Sequence, residues 1–109
     1  MRHAARVDGN QAAIVAALRA SGASVFVLKL PVDLLVGYSG KTALVEVKDP
    51  TSAYGKKGLN VKQSAFLMGW NGGTVALIDS VEAAQNLIRM MSDYRVPFRF
   101  RVTLYSESE

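Results

Sequence analysis

The segment 33–48, DLLVGYSGKTALVEVK, constrains this chain more than any other. Apolar and polar residues alternate on both sides of Ser39-Gly40, which is the pattern of two strands joined by a tight turn. With a two-residue turn Tyr38 faces Lys41, and counting back along both strands puts Asp33 opposite Glu46. A four-residue loop centred on the same pair gives the same register. Directly opposed residues share a face of the sheet, with Cβ atoms about 4.5–5.5 Å apart. Lys48, two residues beyond Glu46, falls on that face as well. Leu34, Val36, Val45 and Val47 fall on the other face and are apolar.

Two opposed carboxylates repel unless a proton or a cation lies between them. Asp33 and Glu46 therefore suit a hard divalent ion such as Mg²⁺, which takes carboxylates, waters and phosphate oxygens. Lys48 beside them suits orienting a water or stabilising charge on a phosphate in reaction. The plain alternatives are a solvated Glu-x-Lys strand face and a turn aspartate. Composition favours the oxygen chemistry. The chain has no cysteine and one histidine, His3, so it lacks the residues of a zinc enzyme, a Ser-His-Asp hydrolase or a Cys-His protease.

The remaining pattern predicts a single α/β domain over residues 1–109, with a core at about 6–92 and an extension at 93–109. An alanine-rich helix is expected at 10–21, with Asp8 or Asn10 as cap and Gly22 as stop. Strands are expected at 24–30, 33–38 and 42–48, followed by a loop at 49–58. Asn60 and Gln63 form a capping-box pattern at the head of a helix that reaches Trp70. A strand at 74–78 and a helix capped by Ser80 follow; the apolar stripe of that helix is Val81, Ala84, Leu87, Ile88 and Met91. Residues 97–105 alternate Phe98, Phe100, Val102 and Leu104 with Arg99, Arg101, Thr103 and Tyr105, the pattern of a half-buried strand. The expected order is α-β-β-β-α-β-α plus a C-terminal strand, in one mixed β-sheet flanked by helices.

A helix, three strands bearing an Asp and then Glu-x-Lys, then a helix and a strand, resembles the PD-(D/E)XK nuclease superfamily. The matching stretch is PVDLLVGYSGKTALVEVKD, residues 31–49. The resemblance implies a restriction-endonuclease-like core and Mg²⁺-dependent cleavage of DNA, with Mn²⁺ as a substitute. It implies Asp33, Glu46 and the carbonyl of Val47 as metal ligands and Lys48 as the catalytic lysine. The chain is similar most of all to small VRR-NUC-like and Holliday junction resolvase-like nucleases, many of them encoded by phages. There the first helix presents a polar or acidic residue to the site, which points to Gln11 with Asn10 beside it. A glutamine on the helix after the Glu-x-Lys strand is also typical, and Gln63 matches it as a catalytic-site residue. The likeness covers about residues 6–88. Two positions depart from the pattern: Val32 separates Pro31 from Asp33, and Gln11 is not acidic.

Charge and length shape the expected substrate. Thirteen Lys and Arg against nine Asp and Glu leave a net charge of +4. That balance suits a polyanionic partner. Lys56, Lys57 and Lys62 flank the expected site and are candidate DNA contacts. Arg99 and Arg101 either line a DNA path or keep an edge strand soluble. Phe66 and Trp70 read as core residues, and Tyr54 as a stacking candidate. A chain of 109 residues reads little DNA sequence, so branched, flap or junction DNA is the expected target. A homodimer paired through the C-terminal strand is the expected assembly. A non-catalytic nucleic-acid-binding module, or a small structural or inhibitor protein of a mobile element, remains the alternative. No apolar run reaches the roughly 18–20 residues of a membrane span, and residues 1–10 are polar, so a cytoplasmic location in a bacterial cell is expected.

Overall fold

The computed structural model describes residues 9–48, 61–97 and 99–104. Its elements are α1 (Gln11–Ala20), β1 (Ser24–Val27), β2 (Leu34–Tyr38), β3 (Lys41–Val47), α2 (Val61–Gly69), β4 (Thr74–Ile78), α3 (Val81–Ser92) and β5 (Arg101–Leu104). The strands form one five-stranded mixed sheet in the order β1-β2-β3-β4-β5. β2 runs antiparallel to both β1 and β3, while β4 is parallel to both β3 and β5. This is the expected element order and the expected α/β class.

The hairpin register is the one read from the turn. Tyr38 pairs with Lys41 and Leu34 with Val45. Ser39 and Gly40 both have positive φ, 54° and 79°, as the favoured two-residue hairpin turn requires. The apolar face of this hairpin enters the core. Val25, Leu34, Val36, Ala43, Val45, Val47, Ala76 and Ile78 from the sheet pack against Ile14, Val15 and Leu18 of α1 and Ala83, Ala84, Leu87, Ile88 and Met91 of α3. The other sheet face holds Glu46 and is approached by α2, as the contacts of Gln63 show.

Helix ends follow local chemistry with one exception. Gly22, at φ 98°, closes α1: its N–H donates to the Arg19 carbonyl at 3.0 Å, and the Ala23 N–H to the Leu18 carbonyl at 3.1 Å. The Ser80 hydroxyl accepts the Ala83 N–H at 3.0 Å and caps α3. Asn10 precedes α1 but makes no side-chain cap; its amide is drawn to acceptors far along the chain.

Three strands are shorter than expected: β1, β2 and β5, the last being Arg101–Leu104 rather than the whole of 97–105. β1 ends at Val27, because Lys29 turns to φ 78° and the Leu28 N–H closes on the Asp33 carbonyl at 2.7 Å. β2 starts at Leu34, because the Asp33 side chain replaces the next ladder bond. In β5, Arg101 and Thr103 are exposed while Val102 and Leu104 are half-buried, the expected alternation. Phe100, Val102 and Leu104 pack on the core, so the apolar face expected to join a second copy is engaged within the chain.

Gly40 tests the turn. A side chain in its left-handed conformation costs about 1 kcal/mol. Gly40→Ala is expected to lower unfolding free energy by that amount in urea titration, and Ser39→Gly to leave it nearly unchanged.

Candidate functional site

The turn delivers Asp33 and Glu46 to the same end of the hairpin, and the backbone there explains how they meet. The Lys48 N–H donates to the Ile78 carbonyl of β4 at 2.9 Å. Successive residues of a strand face opposite neighbours, so Val47 faces the β2 side with both its N–H and its carbonyl. The Asp33 Oδ2 accepts that N–H at 2.7 Å. Asp33, Glu46 and the Val47 carbonyl thus bring three oxygen groups to the end of β3. Val32, which interrupts the expected motif, is buried and leaves Asp33 in this position.

Glu46 is 2% exposed and Lys48 3% exposed. Buried charges must be paired or neutralised. The Lys48 Nζ lies 3.5 Å from the Glu46 Oε2 and donates to the Gln63 Oε1 at 3.1 Å. The Gln63 Nε2 donates to the same Glu46 Oε2. An amide suits this place because it accepts from an ammonium and donates to a carboxylate at once. The Glu46 Oε1 is buried and has no hydrogen-bond partner among the described residues. Burial, and then the Asp33 charge, push the Glu46 carboxyl up to about 7, while Lys48 and, more weakly, the Asp33 backbone N–H act the other way.

These features fit a small hard cation. A buried carboxylate oxygen lacks a donor among the described residues, a second carboxylate repels it, and strand alternation turns the Val47 carbonyl to the β2 side, where Asp33 lies. The acid set is small: the described residues contain no group of three or more His, Cys, Asp or Glu able to hold a metal ion. Were a cation bound here, carbonyl and water oxygens would have to complete its shell.

The other expected site residues fall in different places. The Asn10 amide donates to the Lys48 carbonyl at 3.2 Å and to the Asp79 carbonyl at 2.6 Å. It ties the head of α1 to the ends of β3 and β4. Gln11 is 7% exposed, on the stripe of α1 that carries Ile14, Val15 and Leu18. Arg99 and Arg101 are both exposed, and Arg101 donates to the Leu67 and Trp70 carbonyls at the end of α2. Phe66 and Trp70 are half-buried and stack on each other with ring centroids 5.4 Å apart. Asp8, Asp49, Tyr54, Lys56, Lys57, Asn60, Phe98 and Tyr105 lie outside the described residues, as does the side chain of Lys62.

Asp79 had no signal of its own in the sequence. It is 6% exposed and follows Ile78, the partner of Val47, so it stands beside Lys48 at the sheet's end. Only the parallel register of β3 and β4 reveals it. Comparison with protein-family models, with curated proteins and with solved structures returns no match. The site's geometry therefore carries the functional argument.

Glu46 imposes a pH dependence with a definite sign. Its carboxyl holds a proton in the fold up to about pH 7, against a usual value of 4.5. Below 4.5 the folded and unfolded chains are both protonated and no cost arises. As pH rises through 4.5–7 the unfolded chain loses the proton first, and stability falls by a few kcal/mol. In EDTA the melting temperature of the wild type minus that of Glu46→Gln is expected to drop between pH 4.5 and 8. Parallel curves for the two proteins would contradict it.

Proposed function

We propose that this protein is a Mg²⁺-dependent endonuclease of the PD-(D/E)XK kind, hydrolysing phosphodiester bonds of branched, flap or junction DNA. The observation that carries the reading is the meeting of Asp33, Glu46, Lys48 and Gln63 at the end of β3. The antiparallel β1-β2-β3 unit followed by parallel β4, with helices on both faces, supports a restriction-endonuclease-like core. The net charge of +4 supports a polyanionic substrate.

Asp33, Glu46 and the Val47 carbonyl would hold Mg²⁺, or Mn²⁺ in its place. When bound, the ion supplies Lewis-acid polarisation of a phosphate and lowers the pKa of water. The chain's own groups do the rest. Asp33 is oriented by the Val47 N–H, so its second oxygen has a fixed direction. Lys48 is oriented by Gln63 and lies beside Glu46, where its ammonium can position a water and offset negative charge developing on the phosphate. Gln63 fixes both charged groups through one amide. Assembly as a homodimer acting on two strands goes with the junction reading. Among the described residues no helix is long and apolar enough to cross a membrane.

One observation favours a second reading. Glu46 and Lys48 are almost fully buried, as members of a purely structural polar network would be. A single experiment separates the two: nicking of branched and linear DNA with Mg²⁺, Mn²⁺ or EDTA. The endonuclease reading expects metal-dependent nicking that falls by about 100-fold or more in Lys48→Ala and Glu46→Gln. DNA binding by Glu46→Gln should stay within a few-fold. The structural reading expects no nicking by the wild type and a loss of stability in Lys48→Ala, which leaves Glu46 buried without its cation.

A further inference from the structure

The helix that carries Gln63 is held unlike the other two. α1 and α3 bury apolar stripes, but none of the described side chains of α2 is buried. Phe66 and Leu67 are half-buried, and Met68 is 85% exposed. Among the described residues, side-chain hydrogen bonds join α2 to the sheet near both of its ends. Near the start, Gln63 engages Glu46 and Lys48. At the finish, the Arg101 guanidinium of β5 donates to the Leu67 carbonyl at 2.7 Å and to the Trp70 carbonyl.

The chemistry of that second contact is specific. Carbonyls at a helix C-terminus carry partial negative charge, which a cation offsets, and that of Leu67 also accepts the Trp70 N–H at 3.4 Å. A guanidinium fork reaches two of them at once. Trp70 is fixed from the other side: its indole N–H donates to the Gly73 carbonyl at 3.1 Å, and a Cβ on Gly72 would run into its ring. Gln63 lies one turn before Leu67, about 6 Å along the axis, so a rigid helix passes a loosened end on to the glutamine.

We infer that Arg101 is a positioning residue: by clasping the last carbonyls of α2 it keeps Gln63 on the Glu46–Lys48 pair. Its catalytic consequence rests on the endonuclease reading, but the clasp itself does not. β5, outside the stretch that resembles nucleases, thereby becomes part of the site's support.

Trp70 is the only tryptophan, so its emission reports the clasp directly. Amide hydrogen exchange of α2, with α3 as the control, reports docking of the helix. Arg101→Gln is expected to speed exchange in α2 by roughly tenfold, to leave α3 unchanged and to shift Trp70 emission to longer wavelength. Gly72→Ala should reproduce the change from the opposite side, and Arg101→Lys should recover part of it. In cleavage assays Arg101→Gln should lower kcat by about tenfold at constant KM, and add nothing to Gln63→Ala. Unchanged α2 exchange and emission in Arg101→Gln would overturn the inference. So would equal acceleration in α2 and α3, which marks general destabilisation, or full additivity with Gln63→Ala. Should the wild type not cleave DNA, the endonuclease reading fails, and exchange and emission still decide the clasp.

Discussion

The turn at Ser39-Gly40 fixes which residues of β2 and β3 face one another, and the rest of the structure follows from that register. Slipping it by one residue would exchange the faces of the hairpin. Leu34, Val36, Val45 and Val47 would leave the core that α1 and α3 cover, and Glu46 and Lys48 would enter it. Core and site are thus specified together, so the burial that stabilises one face also holds the carboxylates on the other. Two positive φ values at the turn are the local cost of this arrangement.

On the site face, electrostatics replaces apolar packing. Glu46 and Lys48 are buried as a pair, and burial of a pair stabilises little unless further hydrogen bonds complete it. Gln63 supplies those bonds, and through them α2 is joined to the sheet. The same network leaves one Glu46 oxygen without a donor among the described residues and Asp33 close enough to raise its pKa. A fold selected for stability alone has little use for such a group, whereas the proposed cation site would give it a role.

Much of this was legible in the sequence, for a physical reason. Period-two alternation and a two-residue turn are local codes, and together they placed Asp33 opposite Glu46. Gly22 and Ser80 acted as stop and cap because those roles depend on neighbours only. What was not legible depends on distant partners. Asn10 reads as a helix cap until Lys48 and Asp79 offer carbonyls 38 and 69 residues away. Asp79 is placed by the parallel pairing of β3 with β4. Arg101 looks like any basic residue on an edge strand, and its role appears only when the end of α2 lies against it. The end of β1 is not legible in the sequence because Lys29 adopts a left-handed conformation that its residue type does not announce.

The proposed function requires Asp33 and Glu46 to form one cation site rather than a structural pair. Crystals soaked in Mn²⁺, with anomalous scattering recorded for the wild type and for Glu46→Gln, separate the two arrangements. A cation site gives a single strong peak in contact with both carboxylates and with the Val47 carbonyl, lost in the variant. A wild-type map with no peak there, and with Glu46 still paired to Lys48 and Gln63, would contradict it.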